Sequence, residues 1–280
     1  MSETLSPGIP PARVFLFWPA IFVGRDFMVN MSSVLHGNKA PPTMPDYFLI
    51  IFTRFMGSLS LIAMMVFTFV GPLNLVRLEV GESTALLLNS FLSIGFFIQH
   101  SGMIRKSFER WSAQFIEKKY QGALFTISSS IALLLLVVFW QKSSYTLVSA
   151  HDGSRWILRA VYVTSVLGSF WAIRSLGSFN LFGLDPILQG IKGATSRPSR
   201  LRVRGAYRWV RHPLYLFCLL MIWSCPDLTT DRLLFNLLWT AWILVGTILE
   251  ERDLVNLFGE DYRVYQSEVP LLIPTRIPSR

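Results

Sequence analysis

The sequence predicts an all-α, polytopic integral-membrane bundle of about six transmembrane helices. Three observations carry this. Of the 280 residues, 52% are hydrophobic and 15% charged, against about a quarter charged in an ordinary soluble domain; the mean hydropathy is +0.45. The apolar residues fall in blocks close to the roughly 20 residues that cross a bilayer. Twenty of the 26 Lys and Arg lie in alternate connections between these blocks. A water-soluble enzyme of this size is thereby excluded.

Four blocks are long, at 47–70, 84–103, 121–140 and 156–174, and two are shorter, at 213–225 and 233–249. Residues 1–46 form an N-terminal segment ahead of one membrane domain, 47–280. Its apolar patch Val14–Val23 contains Pro19 and is too short to cross, so it reads as lying along the interface. No basic stretch followed by a cleavage site opens the chain, so no removable signal peptide is expected. The linker-like stretch is Gly190–Arg204, polar, basic and broken by Pro198. The Lys/Arg asymmetry places both termini in the cytoplasm. It also accounts for the net charge of +9 without nucleic acid as a partner.

Several chemistries find no support. Cys218 and Cys225 share one apolar block and read as packed thiols. His36, His100, His151 and His212 have no zinc-ligand spacing, and no metal is expected. There is no dinucleotide fingerprint, P-loop, HExxH or CxxC, and no nucleophile elbow.

Ionisable groups at the ends of membrane helices are costly unless paired or useful. The richest such segment is Gly205–Tyr215, GAYRWVRHPLY. Pro213 suits a first helical turn, which puts His212 at the N-cap, beside backbone donors able to bind an anion. A snorkelling Arg/His/Tyr anchor belt is the other reading. The second segment, Leu249–Tyr265, carries Glu250 and Glu251 at the end of the sixth span, then Arg252, Asp253 and a Phe258–Gly259 break. Acids at a helix C-terminus oppose the macrodipole, which weakens a purely solubilising role. Because the last two spans are antiparallel, Arg211/His212 and Glu250/Glu251 are expected to face one another at the inner membrane boundary. Gln99-His100-Ser101 ends the second span on the same side. It reads either as a bond between neighbouring helices or as the lining of a substrate cavity.

Arg211-His212-Pro213-x-Tyr215, followed by Glu250-Glu251-x-x-Leu254, Phe258-Gly259, Tyr262-x-x-Tyr265 and Val269-Pro270, resembles the isoprenylcysteine carboxyl methyltransferase superfamily of integral-membrane methyltransferases. The likeness is closer to its methanethiol S-methyltransferase and NnrU-like branch. There it extends to Gln99-His100-Ser101, Arg105…Phe108…Arg110-Trp111, Phe179…Leu181-Phe182-Gly183-Leu184 and Glu250-Glu251-Arg252-Asp253-Leu254. The resemblance implies S-adenosylmethionine as methyl donor and, for this branch, the bacterial inner membrane. It further implies a donor site of Tyr207, His212, Pro213, Leu214, Tyr215 and Glu250, with Leu201 and Arg202 following by spacing alone. Gly246 stands where the prenylcysteine branch has an arginine, one turn before the glutamate, which disfavours a prenylcysteine carboxylate.

The expected roles follow from the donor's groups. Arg211 and the helix N-terminus at His212 bind its carboxylate, Glu250 its amine, and Glu251 and Tyr215 lie near its ribose. With a small thiol as acceptor the thiolate is the reactive form; either His100 or His212 takes its proton, or the thiolate arrives from solution and no protein base is needed. Gln99, His100 and Arg252 stand on the acceptor side. A lipidic acceptor, prenylcysteine carboxylate or phospholipid amine, and a non-enzymatic membrane assembly protein of the same fold are the alternatives.

Overall fold

The computed structural model describes residues 44–176, 181–192, 201 and 203–277. The expected interfacial patch Val14–Val23, Arg202 and most of the linker-like stretch lie outside the described residues. Five helices are long and apolar enough to cross a membrane: α1 (Met44–Val70), α2 (Glu82–Ile104), α4 (Gln121–Phe139, entered by a 3-10 turn at Lys118–Tyr120), α5 (Asp152–Leu176) and α8 (Thr230–Phe258). A shorter apolar helix, α7 (Pro213–Trp223), precedes α8. Three further helices, α3 (Lys106–Ser112), α6 (Asp185–Lys192) and α9 (Glu260–Glu268), lie in the connections and the tail.

Two expectations are corrected. The fold is not purely helical, since β1 (Thr146–Ser149) pairs antiparallel with β2 (Asp227–Thr229). Short strands between apolar blocks leave no periodic signal, and the ribbon pairs the backbone groups of two otherwise exposed connections. It also joins two connections that the charge pattern puts on one side of the membrane. The helix built on the last apolar block does not end at 249: α8 runs on to Phe258 and breaks only at Gly259, whose φ of 60° suits glycine. Glu250 and Glu251 are therefore interior helical residues with two turns beyond them, and the macrodipole argument does not apply to them.

α4 packs between α1 and α2, α2 reaches α8, and α5 packs on α7. An aromatic core of Phe67, Phe96, Trp140, Phe235 and Trp239 ties α1, α2 and α8 together. Rings such as Phe48, Phe55 and Phe91, with Leu87, Leu167 and Leu237, point outward and are exposed, as a lipid-facing surface requires. At the ribbon end the polar groups are satisfied locally. Buried Asp231 accepts from Trp140 Nε1 (2.9 Å), the Ser143 amide (2.9 Å) and Thr229 Oγ1 (2.6 Å). Arg155 grips Asp227 through both terminal nitrogens, 3.0 and 2.6 Å. Burial opposes ionisation of Asp227, but the Arg155 and Ser149 hydrogen bonds outweigh it and hold the carboxyl below its ordinary range.

Segment 181–184 tucks into the bundle between α1 and α4. Gly183 has φ of 66°, and its backbone lies so close to Gly122 on α4 that a side chain on either would collide with the other. Thr126 Oγ1 donates to the Phe182 carbonyl at 2.9 Å, and the Phe182 ring occupies the space a Cβ at Gly57 would need.

Candidate active site

Pro213 opens α7 at its first turn and leaves His212 as the N-cap. The turn Gly205–Arg208 and α9 converge on this end of α7, held by backbone bonds from the Arg211 and His212 amides to the carbonyls of Pro270 (2.9 Å) and Leu271 (3.1 Å). These two amides are therefore committed to the tail and do not offer themselves to an anion.

The side chains of α7 and α8 meet as the antiparallel pairing predicts. His212 Nε2 donates to Glu251 Oε1 at 2.6 Å, and Nδ1 stands 3.7 Å from Glu250 Oε2. Tyr215 Oη donates to Glu250 Oε2 at 2.7 Å. Tyr215 is one turn inside α7, and its ring stacks on the His212 ring at 5.4 Å between centroids.

The two glutamates differ. Glu251 accepts from Arg211 Nε (3.1 Å) and Nη2 (2.9 Å), His212, Tyr262 Oη (2.7 Å) and Gln266 Nε2 (2.6 Å). These donors fill its acceptor sites. Arg211 is equally occupied, donating also to the carbonyls of Gln266 (3.0 Å) and Val269 (2.6 Å). Arg211 and Glu251 thus lock α7, α8 and α9 to one another, and neither has its polar groups turned to a ligand. Glu250 is buried and accepts from Tyr215, so of the pair it keeps acceptor capacity. A buried carboxylate of this kind fits a cationic ligand group, whether ammonium or sulfonium.

Tyr207 lies in the turn before α7, and its carbonyl accepts the Tyr265 hydroxyl at 2.6 Å. Burial, and after it the Glu250 charge, pushes the Tyr207 phenol above its ordinary value and keeps it a neutral donor. Burial likewise raises Tyr262, where the bond to Glu251 adds to it, and Tyr265. Leu201 packs partly buried against Tyr262, Tyr265 and Val269, and Leu214 packs on Ala172 and Ala206. Gln266 was not expected from the sequence. The available signal was its place one turn after Tyr262 on the same face of α9.

The second-span residues lie elsewhere. His100 packs on Trp242 of α8, 5.4 Å between centroids, and Trp242 Nε1 donates to Ser101 Oγ at 3.1 Å. Trp242 precedes Glu250 by two turns, about 12 Å along the helix, so His100 is not in the His212 layer as expected. It lines a separate cavity between α1, α2 and α4. Gln99 Nε2 donates to Ser129 Oγ of α4 at 3.2 Å, so it does bridge neighbouring helices. Arg252 is exposed, because the residue after Glu251 faces away from the cluster. Among the described residues no group of three or more His, Cys, Asp or Glu is placed to hold a metal, and both cysteines are free thiols.

No protein-family model matches the chain, and no solved structure matches it significantly. Curated relatives do. The chain is 33% identical over 203 residues to methanethiol S-methyltransferase 1 of Bradyrhizobium diazoefficiens, covering 71% of this chain and 70% of that protein. It is 37% identical over 197 residues to the methanethiol S-methyltransferase of a Pseudomonas strain, covering 69% and 74%. Nurim from Rattus norvegicus is 26% identical over 183 residues, covering 61% and 68%. The chain belongs to the methanethiol S-methyltransferase family, within the isoprenylcysteine methyltransferase-like group that also holds Nurim.

Proposed function

We propose that this protein is an integral-membrane methyltransferase that transfers a methyl group from S-adenosylmethionine to methanethiol, releasing dimethyl sulfide. The observation that carries the reading is the identity of 33–37% to several relatives named for methanethiol methylation. The site supports it: a buried acid with acceptor capacity, an imidazole and two phenols gathered where a short apolar helix begins.

When bound, S-adenosylmethionine supplies an electrophilic methyl on a sulfonium. Such a displacement demands proximity, alignment and a desolvated nucleophile. Glu250 accepts from the donor's cationic portion, with Tyr215 fixing the carboxylate through its 2.7 Å bond. Tyr207, neutral at the site's edge, donates to a donor oxygen, while Pro213 and Leu214 shape the helix start. His212, Arg211 and Glu251 are positioning residues. Their mutual bonds hold α9 and the tail against α7 and exclude water from Glu250. In this reading α7 makes the sixth crossing of a bacterial inner membrane, and the charge asymmetry supports a cytoplasmic side for both termini and this site.

The test is a transfer assay on purified protein with methyl-labelled donor, offering methanethiol, a phospholipid amine and a prenylcysteine in parallel. Dimethyl sulfide from methanethiol supports the reading. Donor binding with label passing only to a lipidic acceptor contradicts the thiol, and no donor binding contradicts the methyltransferase.

A further inference from the structure

The turn that carries Tyr207 is clamped from two sides. From the tail, Tyr265 Oη donates to the Tyr207 carbonyl at 2.6 Å. From the other side the last turn of α5 holds it. Ser175 Oγ donates to the Trp171 carbonyl (2.8 Å) and accepts the Ala206 amide (3.2 Å), while the Ser175 carbonyl accepts Arg204 Nε (2.6 Å). A hydroxyl has one proton and two lone pairs, so the first bond leaves a lone pair for the Ala206 amide. The Ser175 carbonyl is among the last four of α5, which find no partner inside the helix, and a guanidinium at that end also complements the helix dipole.

The fit is close. Gly205 has φ of 57°, and a Cβ there would collide with the Ser175 hydroxyl. Ala206 is buried against Ala172 of α5 and Leu214 of α7, and the Tyr207 amide closes the turn on the Arg204 carbonyl at 3.2 Å. Residues 204–207 are thus fixed on the end of α5, 29 positions back along the chain. The Tyr207 phenol that this turn carries lies within reach of the Glu250 charge.

We propose that Ser175 and Arg204 are positioning residues for the methyl donor: they fasten the Gly205–Arg208 turn to α5 so that the Tyr207 hydroxyl stands ready before the donor arrives. The proposal rests on the reading above, in which Tyr207 donates to S-adenosylmethionine. A group already held in its bound conformation spares the ligand the cost of ordering it. α5 thereby acts on donor affinity through Tyr207, without contributing a contact of its own.

The experiment measures S-adenosylmethionine Kd by calorimetry, with the melting temperature of each protein, on the full chain in lipid nanodiscs. Wild type, Ser175→Ala, Arg204→Leu, Tyr207→Phe and the two double variants with Tyr207→Phe are compared. Each single variant is expected to raise Kd about 3- to 10-fold, the equivalent of one hydrogen bond. With Tyr207→Phe already present, Ser175→Ala or Arg204→Leu is expected to add less than about 2-fold, because the hydroxyl they place is gone. Residues that serve stability alone would lower the melting temperature and leave the effects on Kd independent. Arg204 is exposed, so its variant keeps the test open if Ser175→Ala does not fold. Single variants that bind like wild type, or an effect as large with Tyr207→Phe as without it, overturn the positioning role and leave the methyltransferase reading standing. A Tyr207→Phe protein that binds like wild type overturns the part given to Tyr207 and the positioning with it. A wild type that binds no donor overturns the methyltransferase reading itself.

Discussion

His212 donates to Glu251 at 2.6 Å across 39 positions of sequence, and this bond marks where α7, α8 and the C-terminal tail are fastened together. Glu251 gathers donors from all three: Arg211 and His212 ahead of α7, Tyr262 and Gln266 on α9. It is the structural member of the acidic pair. Glu251→Ala leaves a largely buried guanidinium without its partner, a change that costs about 3–5 kcal/mol. Thermal melting of the purified variant is expected to show that loss, and a melting temperature equal to wild type would contradict the role.

Arg211→Lys tests the same joint from the other side. The planar fork meets Glu251 with two nitrogens and two tail carbonyls with a third, an arrangement lysine cannot reproduce. Hydrogen bonds to charged groups contribute about 1.5–3 kcal/mol each. The variant is expected to melt lower and to expose the segment after α9 to protease. A tail as resistant as wild type argues that the backbone bonds at Pro270 and Leu271 suffice.

At the ribbon end, Asp231→Leu removes the acceptor for Trp140, the Ser143 amide and Thr229. Unsatisfied buried donors cost about 1–3 kcal/mol each, so a loss of about 3 kcal/mol or more is expected. Donor affinity measured on the folded fraction is expected to stay at the wild-type value, because this network lies at the far end of α8 from Glu250.

Alkaline pH acts on the tail. Tyr207, Tyr262 and Tyr265 are raised above their ordinary value of 10.0, in each case first by burial. The folded state therefore holds these protons more tightly than the unfolded chain. Their contribution is fully present below pH 10 and is lost as pH rises toward the folded values. Melting temperature is expected to be flat in this respect from pH 8 to 10 and to fall above it, less steeply in Tyr265→Phe. A variant with the same alkaline slope as wild type would contradict the assignment for Tyr265.

Much of this was legible in the sequence. Apolar block length located the long helices to within a few residues, and antiparallel pairing of the last two blocks brought His212 to the glutamates. The end of α8 was not legible, because Glu250 and Glu251 look like the polar exit of a span. They stay helical because Tyr215, His212 and Arg211 satisfy them inside the protein. The different fates of two adjacent acids were equally hidden: successive helical residues point about 100° apart, and only the packing of α9 decides which one it covers. The β-ribbon was too short to leave a pattern, and the depth of His100 depends on where α2 crosses α8.

The most direct test of the central claim is a calorimetric titration of S-adenosylmethionine into purified wild type and Glu250→Gln, each checked for its melting temperature. Wild type is expected to bind, and Glu250→Gln to bind about 10- to 100-fold more weakly, the equivalent of one lost charge-assisted bond, with melting close to wild type. Equal affinities in two folded proteins would contradict the assignment of Glu250 as the group that holds the donor.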